Sequence, residues 1–259
     1  MYYCMKGGIG KSSLSTISAY QLGLQHKKVL LIDLDAQANS TAIFSRTYET
    51  PNPRKSLYKS LLAGDLNPAV CHMTNYVDIA PADWSMSLFN QSIEQKYDKR
   101  NRNLVLKQAL ESVKDNYDYI FLDLPPTIST LVNNAVLASD FVTIVLQTQQ
   151  SAYDSSIKTA SYLNDLRNDY NARFQLTGVI LYLLNKVSAT DKKIVTSATN
   201  FFGKAGIYAN PIRQRERVKR WANLGITSKK TDSHDKYTQK MYSMVLKEML
   251  YRSGELEVR

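Results

Sequence analysis

A chain of 259 residues with 44% hydrophobic and 22% charged side chains can bury a sizeable core, and its composition excludes disordered and fibrous classes. The net charge of +10 points to polyanionic partners, with a solvated basic surface as the bland alternative. Only Cys4 and Cys71 are present, without C-x-x-C spacing, which excludes a disulfide framework and a thiolate metal site. No apolar run reaches the about 18 to 20 residues of a membrane span, so a cytoplasmic protein is expected.

In chain order, residues 2–5 read as a short first strand that opens into the glycine-rich segment Lys6-Gly7-Gly8-Ile9-Gly10-Lys11-Ser12. A helix follows, with Leu14, Ile17 and Leu24 on a common side expected to face the core. Short apolar runs at 29–32, 119–122, 141–146 and 179–184 alternate with segments of helical period, the pattern of buried parallel strands wrapped by helices. Weaker strand candidates lie at 76–80 and 206–209, and 47–54 is the only stretch that looks loose. Leu106, Ala109, Leu110 and Val113 mark the packed face of a central helix; Met241, Met244, Val245 and Met249 mark that of a last one. With no repeat or Pro/Gly-rich linker, a single α/β domain over 1–259 is expected: a mostly parallel twisted sheet with helices on both faces. The glycine-rich loop begins so near the first residue that no N-terminal helix-turn-helix domain is expected.

A phosphate-binding loop needs glycines so that successive N–H groups can point at oxygens, a lysine for the β/γ charge, and a hydroxyl for Mg²⁺. Gly10-Lys11-Ser12 supplies that ending, at the start of a helix whose N-terminus favours an anion. Met5 stands where the common G-x-x-x-x-G-K-[ST] pattern has its first glycine, and Lys6 is an extra lysine within the loop. Asp33 and Asp35 follow one expected strand and Asp123 another, and carboxylates at such strand ends project toward the ligand crevice of parallel α/β folds.

The loop through Ser13, then Leu31-Ile32-Asp33-Leu34-Asp35-Ala36-Gln37, then Phe121-Leu122-Asp123-Leu124-Pro125-Pro126 resemble the deviant Walker motifs of ParA-type partition ATPases. The likeness extends through Ile79-Ala80-Pro81-Ala82 and Leu184-Asn185-Lys186 to Arg213-Gln214-Arg215-Glu216-Arg217-Val218-Lys219-Arg220-Trp221, nearly the whole chain. It implies a P-loop NTPase fold with ATP and Mg²⁺ as cofactors. Gly7, Gly8, Ile9, Gly10, Lys11, Ser12 and Ser13 would hold the phosphates, Lys11 at the β/γ position. Ser12 would ligate the metal, Asp123 would hold it through water, and Asp33 would support that side. Asp35 would polarise the attacking water, Lys6 would reach the nucleotide of a partner subunit, and Asn185 and Pro211 would line the base pocket. Ser13, Ala36 and Ala38 replace the family's usual threonine, proline and glycine; because alanine adopts φ > 0 less cheaply than glycine, another shape is expected for the switch after Asp35.

From Asn210 to Lys240 nine basic residues face three acidic ones, a local excess of +6. Arg213, Arg215, Arg217, Lys219, Arg220, Lys229 and Lys230 are the candidates for sequence-independent phosphate contacts to double-stranded DNA, with a solvated helix face as the alternative. The resemblance then implies an ATP-dependent homodimer on non-specific DNA, a ParB-like centromere-binding partner that stimulates weak hydrolysis, a nucleoid-associated location and no membrane. A MinD-like membrane-positioning ATPase is the alternative, although the tail at 250–259 is short and mixed in charge. The redox branch of the superfamily is disfavoured because Cys4 and Cys71 are not placed to bridge a cluster.

Overall fold

The structure is a computed structural model that describes residues 1–49, 51–184, 188–227 and 233–255. From the N-terminus, β1 (Tyr2–Tyr3), α1 (Lys11–Gly23), β2 (Val29–Asp33), α2 (Asn39–Tyr48), α3 (Leu57–Ala63), β3 (Cys71–His72), β4 (Val77–Ala80), α4 (Phe89–Lys96), α5 (Val105–Leu110), β5 (Tyr119–Asp123) and α6 (Thr130–Ala138) succeed one another. They are followed by β6 (Phe141–Gln147), α7 (Gln150–Tyr170), β7 (Gln175–Leu184), α8 (Ala189–Phe202), β8 (Ile212–Arg213), α9 (Glu216–Leu224) and α10 (Ser233–Arg252). This is the α/β alternation expected from the apolar runs.

The chain divides into two compact units, one of Met1, Ser12–Ser139 and Arg220–Ile226, the other of Tyr2–Lys11, Asp140–Lys219 and Thr227–Arg259. In the first unit the strands run in the order β3-β4-β2-β5, with β4, β2 and β5 parallel and only the short β3 antiparallel. Every residue of β2 is buried, as a strand covered on both faces requires. The weak candidate at 76–80 is real: it is β4, paired with β2 from Val77 to Ala80. Leu106, Ala109, Leu110 and Val113 are all buried, as their spacing predicts, although α5 itself stops at Leu110.

Two expectations about this unit need correction. Leu14 and Ile17 are core, but Leu24 is 58% exposed, because α1 ends at Gly23 and the chain turns away through His26 at φ 62°. Leu22 and Tyr20 are buried instead. Thr47 is not loose: it lies in the last turn of α2, where its Oγ1 donates to the Ile43 carbonyl (2.7 Å) and accepts from the Ile226 N–H (2.9 Å). Thr50, in the same stretch, lies outside the described residues.

Ala38 gives a clear finding about the switch after Asp35. It occupies the left-handed region, φ 54° and ψ 36°, a conformation that glycine adopts more cheaply, so the alanine bears the strain. Ala38→Gly is therefore expected to stabilise the protein by about 1 kcal/mol, the relief of strain exceeding the added unfolded-state entropy. Thermal unfolding would show this as a rise of about 2 to 4 °C, and a fall would mean that the alanine is unstrained.

The second unit holds an all-parallel sheet in the order β1-β6-β7-β8. β1 spans only two residues, yet Tyr2 and Tyr3 are fully buried opposite Thr143 and Ile144 of β6. The candidate strand at 206–209 is not one; Ile207 makes a single bridge to Val179, and β8 takes the edge. The N–H groups of Ala209 and Asn210 donate to the Glu248 carboxylate (2.8 and 3.0 Å), which removes them from the ladder. In α10, Met241 and Val245 are buried, Met249 is half-buried and accepts from the Tyr2 hydroxyl (3.2 Å), and Met244 is 45% exposed. The helical period carries the buried stripe through Thr238, Tyr242, Leu246 and Leu250, leaving Met244 outside it.

Candidate functional site

The glycine-rich loop belongs to the second unit. Gly8 (φ 72°) and Gly10 (φ 86°) take the left-handed conformations that let successive N–H groups turn inward. Gly10 is needed for space as well: a Cβ there would stand 2.1 Å from Tyr182 Cζ. Gly7 and Gly8 are exposed, while Ile9 is fully buried and fixes the loop to the core. Met5 keeps an ordinary φ, so the missing first glycine imposes no strain; its N–H donates to Thr159 Oγ1 (3.2 Å). Lys11 is buried with its Nζ donating to the Lys6 carbonyl (3.0 Å), and Lys6 Nζ donates to Ser151 Oγ at the start of α7 (2.8 Å). Ser12 and Ser13 follow as the second and third residues of α1, both half-buried.

The carboxylates belong to the first unit. Asp33 and Asp123 are fully buried and face each other across β2 and β5. The start of α2 holds them: Thr41 donates to Asp33 Oδ2 from both its N–H and its hydroxyl (2.8 Å each), and the Ser40 hydroxyl donates to Asp123 Oδ2 (2.5 Å). The Asp35 N–H adds a bond to Asp33 Oδ1 (3.1 Å). Burial, then the neighbouring Asp123 charge, push the Asp33 carboxyl well above the usual range, and the Thr41 bonds oppose the shift. Asp35 is half-buried; its Oδ1 accepts from the Gln37 N–H (3.0 Å) inside the turn that Ala38 closes.

Ser40 and Thr41 escaped the sequence reading. Their signal is two hydroxyl residues in the first turn of a helix directly after Asp33-Leu34-Asp35, a position from which both hydroxyls reach back to strand ends.

A buried aspartate with a raised value makes the folded state bind more protons than the unfolded one. Stability of the nucleotide-free, metal-free protein should therefore fall as pH rises from about 4 toward that raised value, by at most about 1.4 kcal/mol per pH unit. Asp33→Asn should flatten this slope, as read by chemical denaturation at a series of pH values; an unchanged slope would remove Asp33 as its source.

Two adjacent buried carboxylates call for a cation, and oxygen donors alone suit Mg²⁺. Among the described residues no cluster of three or more His, Cys, Asp or Glu could hold a metal by itself. The donor set thus fits an ion that completes its shell with further oxygen ligands, water among them.

The basic segment divides by burial. Arg213 lies in β8 and donates its N–H to Met241 Sδ (3.3 Å). The Arg215 guanidinium stacks over the Tyr237 ring at 4.2 Å, and Arg217 Nε pairs with the buried Asp235 carboxylate at 3.0 Å. Lys219 and Arg220 are exposed on α9, Lys219 pairing with Glu216 (2.8 Å). Lys229, Lys230 and Asn185 lie outside the described residues, as do the last four of the chain; Pro211 is half-buried just ahead of β8. Among the described residues no helix is long and apolar enough to cross a membrane.

The chain matches the AAA domain family over residues 2–176. It is 29% identical over 215 residues to the sporulation initiation inhibitor protein Soj of Bacillus subtilis, covering 82% of this chain and 83% of the relative. The chromosome partitioning protein ParA of Caulobacter vibrioides is 28% identical over 226 residues, 85% of this chain and 82% of that one. A solved ATP complex of an aspartate-to-alanine variant of McdA from Cyanothece has a TM-score of 0.84 at 20% identity, covering 100% of this chain and 96% of the other. That likeness shows the fold: α/β, with a mostly parallel sheet flanked by helices.

Proposed function

The chain belongs to the ParA-type P-loop ATPases, and from that membership we propose that it is the ATPase of a DNA segregation system, acting with ATP and Mg²⁺. The observation that carries the reading is the pair Asp33 and Asp123, buried side by side at parallel strand ends and held by the first turn of α2. A structural carboxylate pair would be destabilising with nothing to neutralise it. Here it sits in a chain whose phosphate loop supplies the matching chemistry.

In this reading the N–H groups from Gly7 to Ser13 receive the phosphates, and Lys11 Nζ exchanges the Lys6 carbonyl for the β/γ oxygens. Ser12, Asp33 and Asp123 would hold Mg²⁺, which would supply positive charge to offset that of the phosphates. Asp35, on a turn rather than in the buried pair, accepts a hydrogen bond from the attacking water and orients it. Lys6 leaves Ser151 to stabilise developing charge at the nucleotide of a second copy, which makes ATP part of a homodimer interface. Pro211 packs on the base. No relative described above is a membrane-positioning ATPase, and no observation favours that alternative.

The finer partners follow from charge. The exposed Lys219 and Arg220 meet the phosphates of double-stranded DNA without reading sequence, and a two-fold dimer presents them twice. A ParB-like, centromere-bound protein then stimulates hydrolysis and release, and the complex is nucleoid-associated. ATPase assays alone, with DNA and with such a partner test the cycle, together with DNA co-sedimentation. Slow basal turnover that rises with both additions is expected, and DNA binding of equal strength without nucleotide would contradict the cycle. Replacing Lys219 and Arg220 together with alanine removes four contacts per dimer and should reduce the slope of log affinity against log salt by about 4, uniformly across DNA sequences. An unchanged slope would place the contacts elsewhere.

A further inference from the structure

One chain of contacts within the second unit runs from the phosphate loop to the basic segment. At its loop end the Tyr182 ring lies so close to Gly10 that an added methyl group would overlap Cζ, Cε1 and the hydroxyl oxygen, at 2.1, 2.3 and 2.4 Å. The Tyr182 hydroxyl shares a buried hydrogen bond with the Tyr242 hydroxyl of α10 (2.9 Å). Tyr242 is nearly wholly enclosed, and its burial keeps the phenol protonated.

The backbone around Tyr182 is unusual. Leu183 takes φ 57° within β7, and the register to β8 shifts between Tyr182 and Leu184. A branched residue in the left-handed region beside a bulge is strained, and bulges serve to re-aim a neighbouring side chain.

At its other end α10 holds three points of the basic segment. Its Asp235 pairs with Arg217 and its Tyr237 carries the Arg215 guanidinium, while Met241 accepts from the Arg213 N–H. These contacts lie within two turns of Tyr242 on one continuous helix. A helix moves as a rod, so a displacement at Tyr242 reaches all three. The arginines at 215 and 217 are thereby docked on the helix to which Tyr182, the neighbour of Gly10, is hydrogen-bonded.

We infer that the Tyr182–Tyr242 hydrogen bond is the link through which occupancy of the phosphate loop is transmitted, by way of α10, to the basic segment at Arg213 to Arg217. Both tyrosines are positioning residues: neither touches DNA, and Tyr182 acts on the nucleotide through Gly10. The inference rests on the nucleotide-binding reading of the loop and extends the DNA reading, which can fail separately.

The test removes the bond while keeping both rings. Amide hydrogen exchange over residues 213–224 is measured with and without a non-hydrolysable ATP analogue in the intact protein, in Tyr242→Phe, in Tyr182→Phe and in the double variant. DNA affinity is measured in the same states. The intact chain should show a nucleotide-dependent change in exchange that is lost in either single variant, with the double variant no worse than the singles because they delete one bond. The ratio of DNA affinities with and without nucleotide should fall about fivefold or more, with analogue binding retained.

An exchange response of the same size in both single variants would overturn the link while leaving the DNA reading intact. No response in the intact protein would also overturn it. Loss of the exchange response in a protein whose DNA binding ignores nucleotide would uphold the link and sink the DNA reading instead. Should one variant fail to fold, the other carries the test, since each removes the same bond from a different element.

Discussion

Gly10→Ala is expected to lower stability by about 3 kcal/mol, the sum of overpacking against Tyr182 and of the left-handed φ. For a chain of this size that is a fall in melting temperature of about 6 to 12 °C. The tyrosine has no easy escape, because its hydroxyl is bonded to the buried Tyr242 and its ring cannot swing aside without breaking that bond. Displacing the loop by even about 1 Å should weaken productive nucleotide binding or turnover about 100-fold. Thermal unfolding and titration with a fluorescent ATP analogue measure the two effects. Making the same change in a Tyr182→Leu background should recover part of the loss. If Gly10→Ala costs as much there as in the parent, the strain lies in the backbone alone and the contact with Tyr182 is immaterial.

Asp35→Ala should lower the rate of ATP hydrolysis by about 100- to 1,000-fold while ATP binding persists, the signature of a group that orients water and does not hold nucleotide. The structure separates this residue from its neighbour. Asp33 is fully buried, bonded to Thr41, and faces Asp123, whereas Asp35 is half-buried on the turn closed by Ala38. Asp33→Ala should therefore disturb folding and metal affinity, and Asp35→Ala should leave both near their original values. The variant at Asp35 would accumulate as an ATP-bound form that stays on DNA. Turnover at the original rate would take Asp35 out of its assigned role.

Much of this was legible in the residues, for reasons that differ from place to place. The phosphate loop was readable because anion binding by backbone N–H groups demands glycine at particular steps, and Gly8 and Gly10 indeed carry the positive φ values. The strands at β2 and β5 were readable because parallel strands buried on both faces must be apolar throughout, and the aspartates that end them break the run.

Helix faces were less secure at their ends. Leu24 fits the period of α1 but lies beyond its last turn, and Met244 fits the sequence stripe of α10 but falls outside the face that α10 buries. The left-handed conformation of Ala38 was not legible in the sequence, for a thermodynamic reason: a strain of about 1 to 2 kcal/mol is small enough for the surrounding bonds to outweigh. Those bonds include Ala38 N–H to the Asp35 carbonyl (2.8 Å) and the clamp of α2 on the two aspartates.

The basic segment shows the same division. Its charge was plain in the sequence, but a list of arginines does not say which are committed. Arg217 is paired with a buried carboxylate eighteen positions later, and Arg215 lies on a tyrosine ring, whereas Lys219, Arg220, Lys236 and Lys240 stand at the surface.

The sequence by itself determined the residue types at the protein's disposal: a glycine-rich loop suited to phosphates, carboxylates at strand ends and a surplus of positive charge. Those properties belong to residue types and short spacings, which need no tertiary information. Only the tertiary structure decided which groups face one another. It set Asp33 beside Asp123, brought Ser40 and Thr41 back onto them, laid Tyr182 against Gly10 and docked the arginines on α10. Apart from the short step from Thr41 back to Asp33, which the hydroxyl residues after Asp35 signal locally, these are encounters between residues far apart in the chain, fixed by strand register and helix packing.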